Sequence, residues 1–195
     1  RADTGQIEIF GTNVTRSSVQ QRAKLGLGRT YQISELFLDL TVEENLFLAA
    51  GANSRIEFTF FRNWKNYQDK REWARDIAEQ VGLEKVLPVP VKELSHGEQR
   101  QLELGMAMAM RPKLIMLDEP AAGLSASERA TLTSLIKKLP RDVTLILIEH
   151  DMEIVLDIAE RIYVLNRGEI IAVDTPEGIR TNKHVHEVYL GSAYA

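Results

Sequence analysis

Two adjacent acids, Asp118 and Glu119, end the apolar run Leu114-Ile115-Met116-Leu117 and are followed by Pro120. Such a run between turn residues reads as a parallel strand, and open α/β sheets bind ligands at the carboxyl ends of these strands. There the first acid can hold Mg²⁺ through its water shell, and the second can orient or deprotonate an attacking water. A merely solvated strand end has the same two residues, and the dipeptide alone does not separate these readings. A second cluster, Leu94-Ser95-His96-Gly97-Glu98-Gln99-Arg100, precedes a helical stretch. Ser95 with Glu98 forms a capping box, which explains a helix start without further function. The same turn also makes an anion site: free N–H groups, a hydroxyl and the helix dipole point one way, and Gly97 admits a phosphate close to the backbone. In Leu145-Ile146-Leu147-Ile148-Glu149-His150-Asp151, a histidine follows a second apolar run and could reach the ligand of Asp118 and Glu119. An isolated histidine there is more often structural. Gln32, closing Arg29-Thr30-Tyr31-Gln32, stands out by nothing of its own.

These residues need elements to hold them. Residues 6–10 alternate in polarity up to Gly11 and read as a half-buried strand. A short helix capped by Ser17 or Ser18 follows, ending near Leu25-Gly26, and residues 28–32 are extended. Thr41-Val42-Glu43-Glu44 is a capping box for a helix running to Gly51. Aromatic and charged residues crowd positions 56–70, and a helix from Asn66 stops at Gly82. The pattern then turns to α/β: a helix from Gly97 to Met110, the strand ending at Asp118, a helix from about Ser127 to Lys138, and a strand from Val143 to Ile148. Two apolar strands joined through one helix imply a parallel βαβ unit buried on both faces. A helix then starts at Asp151, and strands Arg161–Leu165 and Glu169–Val173 are joined by the hairpin loop Asn166-Arg167-Gly168.

The 195 residues carry 24 basic and 28 acidic side chains, a formal charge of -4, which argues against bulk binding to nucleic acid or anionic lipid. With no cysteine, disulfides, thiolate nucleophiles and cysteine-held metals are excluded. Of four histidines, only His184 and His186 are close in sequence, and no metal-ligand spacing surrounds them. No apolar run approaches the ~20 residues that cross a bilayer.

Taken in order and spacing, LSHGEQR, LIMLDEP, AAGLSASE and LILIEHD resemble the nucleotide-binding domain of ATP-binding cassette (ABC) proteins over nearly the whole chain. Within that family, RTYQ followed by LFLDLTVEENL, the aromatic and basic insert, IEHDMEIV and the tail VDTPEGIRTNKHVHEVYLG are similar to the ATPase subunits of branched-chain amino-acid importers. Importers for urea or other amides share much of this.

The resemblance implies an α/β, P-loop NTPase-like parallel-sheet core with an α-helical subdomain. No G-x-x-x-x-G-K-[ST] phosphate loop is present, and the chain is expected to be truncated at its N-terminus, without that loop and the strands before it. The implied organisation is a remnant of the N-terminal core with the Q-loop (residues 1–40), a helical subdomain (41–95), and an α/β core with signature helix, Walker B, D-loop, H-loop and tail (96–195). The implied cofactors are ATP and Mg²⁺. Glu119 is the implied general base and His150 the switch histidine. Asp118 and Gln32 would hold the metal. Ser95, Gly97, Glu98, Gln99 and Gln32 would meet nucleotide. Two cassettes would sandwich ATP head to tail. Residues 33–73 would contact transmembrane permease subunits at the cytoplasmic face of the cell membrane, where the protein is expected to be peripheral. Without the loop this form is expected to be inactive alone. The competing expectations are a non-transport ABC ATPase, or a non-catalytic cassette that supplies only its signature in trans.

Overall fold

The structure, a computed structural model, describes residues 3–29, 36–52 and 67–190. The chain divides into two compact units, Arg1–Ile148 and Glu149–Ala195, each described by itself.

The first unit opens with a small antiparallel hairpin, β1 (Glu8–Ile9) and β2 (Thr12–Asn13). Sequence patterning suggests one longer strand here. Instead Phe10 and Gly11 take positive φ values of 49° and 73°, and the chain turns back after two residues. The short helix α1 (Val19–Lys24) is capped by Ser18 in a complete capping box with Gln21. It leads into β3 (Leu27–Arg29).

Helix α2 (Val42–Gly51) starts at the expected capping box, with Thr41 accepting from the Glu44 amide. Helix α3 (Gln68–Gln80) ends just before Gly82, whose φ of 74° makes the turn that the sequence assigned to it. Helix α4 (His96–Ala109) is capped by Ser95. It lies against α2 and α3 through Gly105, where an added Cβ would stand 3.2 Å from Leu46 Cδ2 and Val81 Cγ2 and 3.3 Å from Ile77 Cγ2. Leu46, Ile77, Val81 and Leu102 are essentially inaccessible and form the centre of this helical packing. Trp73 donates to the Ala109 carbonyl at 3.0 Å, with the Arg111 guanidinium 4.5 Å over its ring.

Strand β4 (Leu114–Asp118) pairs in parallel with β3 on one side and with β5 (Thr144–Ile148) on the other, giving the order β3-β4-β5. The crossover from β4 to β5 runs through α5 (Ala126–Lys137), as a parallel pair requires. Ile115 and Leu117 are fully buried in the central strand. Strand β5 is not buried on both faces as expected: Ile146 and Ile148 are 42% and 49% exposed. Among the described residues β5 pairs only with β4, so it is an edge strand whose alternate side chains face outward.

The second unit begins with α6 (Met152–Ile158), whose N-cap Asp151 accepts from the Glu153 and Ile154 amides. The hairpin of β6 (Ile162–Asn166) and β7 (Glu169–Asp174) turns on Arg167 and Gly168 at φ 49° and 85°, one residue tighter than the sequence suggests. Helices α7 (Pro176–Thr181) and α8 (Lys183–Leu190) follow. Ile162, Val164, Ile179 and Val185 form its core. On the other face of the hairpin, Tyr163, Leu165, Ile170 and Val173 are exposed.

Among the described residues, no helix is long and apolar enough to cross a membrane.

Candidate functional site

Two corners of the first unit gather the chemistry. The first lies at the carboxyl end of β4. Asp118 is its last residue and is half-buried. Arg29, the last residue of β3, reaches it with Nη2 3.3 Å from Oδ2. Immediately after, Glu119 leaves the sheet with φ at 46°, a left-handed conformation uncommon for a residue with a side chain. Its N–H donates to the Ile148 carbonyl of β5 at 2.9 Å, and its carbonyl accepts from Ala122 at 3.1 Å. These two bonds over-determine a backbone conformation that would otherwise relax, and such local strain concentrates at functional sites.

The second corner is the turn into α4. Ser95 Oγ accepts from the Glu98 amide at 3.2 Å, and a Glu98 carboxylate oxygen accepts from the Ser95 amide at 2.8 Å. Both halves of the capping box expected from the sequence are therefore present. Ser95 and His96 are exposed. Gln99 turns its amide back to the Val91 and Leu94 carbonyls at 3.4 and 3.3 Å, bracing the approach to the helix.

Gly97 itself is buried beneath a residue that the sequence reading passed over. Its N–H donates to Glu128 Oε1 at 3.1 Å, across 31 residues of sequence. The other carboxylate oxygen of Glu128 accepts from the Ser125 hydroxyl at 2.6 Å and the Ser125 amide at 2.9 Å. A Cβ on Gly97 would lie 2.6 Å from Glu128 Oε1, so only glycine leaves room for this carboxylate. The Ser125 hydroxyl, then its amide and the Gly97 amide, with His96 nearby, hold the Glu128 carboxyl below the usual glutamate range. Gly123, at φ 76°, lies under the His96 ring, whose Cε1 would be 3.1 Å from an added Cβ. The turn into α4 and the loop between Glu119 and α5 are thus joined at two points.

Of the residues singled out in the sequence, Asp118 and Glu119 share one sheet corner, and Ser95, Gly97, Glu98 and Gln99 share one helix start. His150 is the second residue of the second unit, where its side chain is 72% exposed and its ring Nδ1 is 4.0 Å from Glu149 Oε2. Gln32 lies outside the described residues. Sequence reading missed Arg29 and Glu128. A polar residue at the end of the neighbouring strand could have signalled the first. Glu128 shows locally only as the N3 partner of Ser125 in a capping box. Among the described residues no group of three His, Asp or Glu side chains could enclose a metal ion.

An α/β cassette with a parallel sheet, acids at the end of its central strand and a capped helix start on a helical lobe belongs to the P-loop NTPase class. The family model for ABC transporters matches residues 1–122, and the chain belongs to that family. It is 39% identical over 181 residues to the high-affinity branched-chain amino acid transport ATP-binding protein LivG of Escherichia coli (strain K12), covering 89% of this chain and 71% of that protein. It is 33% identical to the lipopolysaccharide export system ATP-binding protein LptB of Haemophilus influenzae (strain ATCC 51907 / DSM 11121 / KW20 / Rd), covering 100% of this chain and 77% of that one. Among solved structures, the ADP conformation of MJ1267, an ATP-binding cassette of an ABC transporter, superposes with a TM-score of 0.81 at 27% identity, covering 98% of this chain and 79% of that one. The expectation of an ABC ATPase fold is met.

Proposed function

We propose that this chain is the ATP-hydrolysing subunit of an importer of branched-chain amino acids, acting on ATP held between two cassettes. The observation that carries this reading is the pairing, in one unit, of the capped turn into α4, exposed at Ser95 and His96, with the Asp118–Glu119 corner. The solute follows LivG rather than LptB because LivG is the more similar relative.

In this reading Ser95 Oγ and the α4 N-terminus face the γ-phosphate held by the partner cassette. Glu98 and Gln99 keep that turn in shape through the bonds they make to Ser95, Val91 and Leu94. Glu119 takes the proton from the attacking water, a role that needs a carboxylate within hydrogen-bond reach of it. His150 contacts the γ-phosphate of the second ATP, the one on its own cassette's side of the sandwich. Mg²⁺ supplies charge neutralisation on the phosphate oxygens. The donor set fits that ion: one half-buried carboxylate, Asp118, with no enclosing cluster among the described residues, suits a metal that keeps most of its waters. Gln32, outside the described residues, is the other residue that would hold the ion. Arg29 pairs with the Asp118 carboxylate at 3.3 Å.

The three-part organisation at residues 1–40, 41–95 and 96–195 belongs to the same proposal, with residues 33–73 as the surface that meets permease subunits. Phe37 and Leu38, 53% and 50% exposed on that stretch, support it. The chain then sits peripherally on the cytoplasmic face of the membrane. Because its 195 residues contain no G-x-x-x-x-G-K-[ST] sequence, it hydrolyses ATP negligibly by itself.

Joining the loop-bearing N-terminal segment of LivG to this chain tests the reading. The joined protein is expected to hydrolyse Mg-ATP, and Glu119→Gln to abolish turnover while leaving an ATP-dependent dimer visible by size-exclusion chromatography with light scattering. Undiminished turnover in Glu119→Gln removes Glu119 from the reaction. A joined protein that neither turns over nor dimerises favours a non-catalytic cassette.

A further inference from the structure

Glu128 does something that no part of the proposed chemistry uses. Its two carboxylate oxygens divide between two helix starts: Oε1 takes the Gly97 amide at 3.1 Å, and Oε2 takes the Ser125 hydroxyl and amide at 2.6 and 2.9 Å. The Gly97 amide is among the donors that a phosphate at the Ser95 turn would use, and a carboxylate of this chain already satisfies it. The space over Gly97 is filled as well, since Oε1, Cγ and Cδ of Glu128 lie 2.6, 2.8 and 2.9 Å from where a Cβ would be. Glu128 belongs to α5, which follows the loop that begins at Glu119. Whatever moves Glu128 off Gly97 therefore frees the first turn of α5, the helix to which that loop leads.

We propose that Glu128 is a positioning residue that competes with phosphate for the Gly97 amide: it latches the α4 turn to the Ser125 turn until a phosphate displaces it, and its release passes phosphate arrival to the loop after Glu119. This rests on reading the Ser95–Gly97 turn as a phosphate contact. The competition is ionic, one carboxylate exchanged for one phosphate at the same N–H, so removing the charge at position 128 favours the phosphate.

The test uses the ¹⁵N-labelled 195-residue chain and inorganic phosphate as the probe, at constant ionic strength, with the Gly97 amide resonance as the readout. Glu128→Gln keeps the capping geometry, because glutamine also closes a capping box. It is expected to tighten the phosphate-dependent shift of the Gly97 amide roughly fivefold, the weight of one unit charge a few ångströms away in water-like surroundings. Glu93→Gln, an exposed acid two residues before Ser95, changes the net charge equally and is expected to leave the midpoint within about twofold of wild type. Equal midpoints in wild type and Glu128→Gln overturn the competition while leaving the phosphate contact standing. Equal tightening in both variants also overturns it, because the effect is then general charge. No phosphate response at Gly97 in any variant overturns the competition together with the phosphate reading of the turn.

Discussion

Asn45 is fully buried on α2, yet both polar atoms of its side chain are hydrogen-bonded. Its Nδ2 donates to the Phe37 and Thr41 carbonyls at 3.1 and 3.0 Å, and its Oδ1 accepts from the Phe37 amide at 3.0 Å. The arrangement fixes which end is nitrogen, since a flipped amide would set its oxygen against two carbonyls. It also pins the backbone of Phe37, one of the exposed apolar pair of the proposed permease surface, to the lobe. Asn45→Asp changes almost no volume but replaces two donors with a second acceptor. Two hydrogen bonds worth about 1 kcal/mol each are lost. A carboxylate without a counter-ion is left buried against two carbonyls, and unpaired buried charges cost about 3–5 kcal/mol. Protonation limits the total, so the expected loss of stability at neutral pH is about 3–5 kcal/mol. The sign of its pH dependence follows. Burial raises the folded-state pKa of the new acid above its unfolded value of about 3.9. The difference from wild type is therefore smallest below that value and grows to its full size once pH exceeds the raised folded-state value. Urea unfolding of both proteins by circular dichroism at a series of matched pH values reads this as a shift in midpoint at constant slope. A loss below about 1 kcal/mol, or one equal at acid and neutral pH, refutes the bonding described for Asn45.

Three further outcomes are expected. Gly105→Ala gains about 1 kcal/mol of helix propensity but forces three side-chain methyl groups already 3.2–3.3 Å from the new Cβ, and overpacking of about 1–3 kcal/mol outweighs the gain; a urea midpoint above wild type would show the packing is looser than described. Trp73→Phe removes the donor to the Ala109 carbonyl and weakens the stacking with Arg111, for a loss of about 1–2 kcal/mol by the same assay. Ser125→Ala removes the first cause of the low Glu128 pKa, so the carboxyl should titrate nearer the ordinary glutamate range in a ¹³C-detected NMR titration. In wild type the depressed value means that this contribution to stability is present above the ordinary glutamate pKa and lost as pH falls through the folded one.

Features carried by neighbouring residues were legible in the sequence. The capping boxes of α2 and α4 appear where Thr41 and Ser95 stand three residues before Glu44 and Glu98, because a cap is a local bargain between adjacent backbone groups. The strand ending at Asp118 was legible for the same reason: an apolar run with acids at one end reports its own burial. What depends on the third dimension was not. Ile146 reads as core by composition, and only the sheet order shows it on an edge strand. Glu128 looks like one more capping acid until folding brings it under Gly97. The hairpin at Arg167-Gly168 was legible from Asn166 and Gly168, whereas the early turn at Phe10 was not, because an aromatic residue rarely takes positive φ.

The central claim is that the Ser95–Gly97 turn meets the terminal phosphate of ATP bound to another cassette. The most direct measurement mixes this chain with LivG loaded with Mg²⁺ and an ATP analogue bearing a photoreactive group on its γ-phosphate, irradiates the mixture, and maps the labelled peptides by mass spectrometry. Label on this chain between Glu93 and Arg100, suppressed by excess ATP, is the predicted result. Label confined to LivG, or placed on this chain away from that turn, contradicts it.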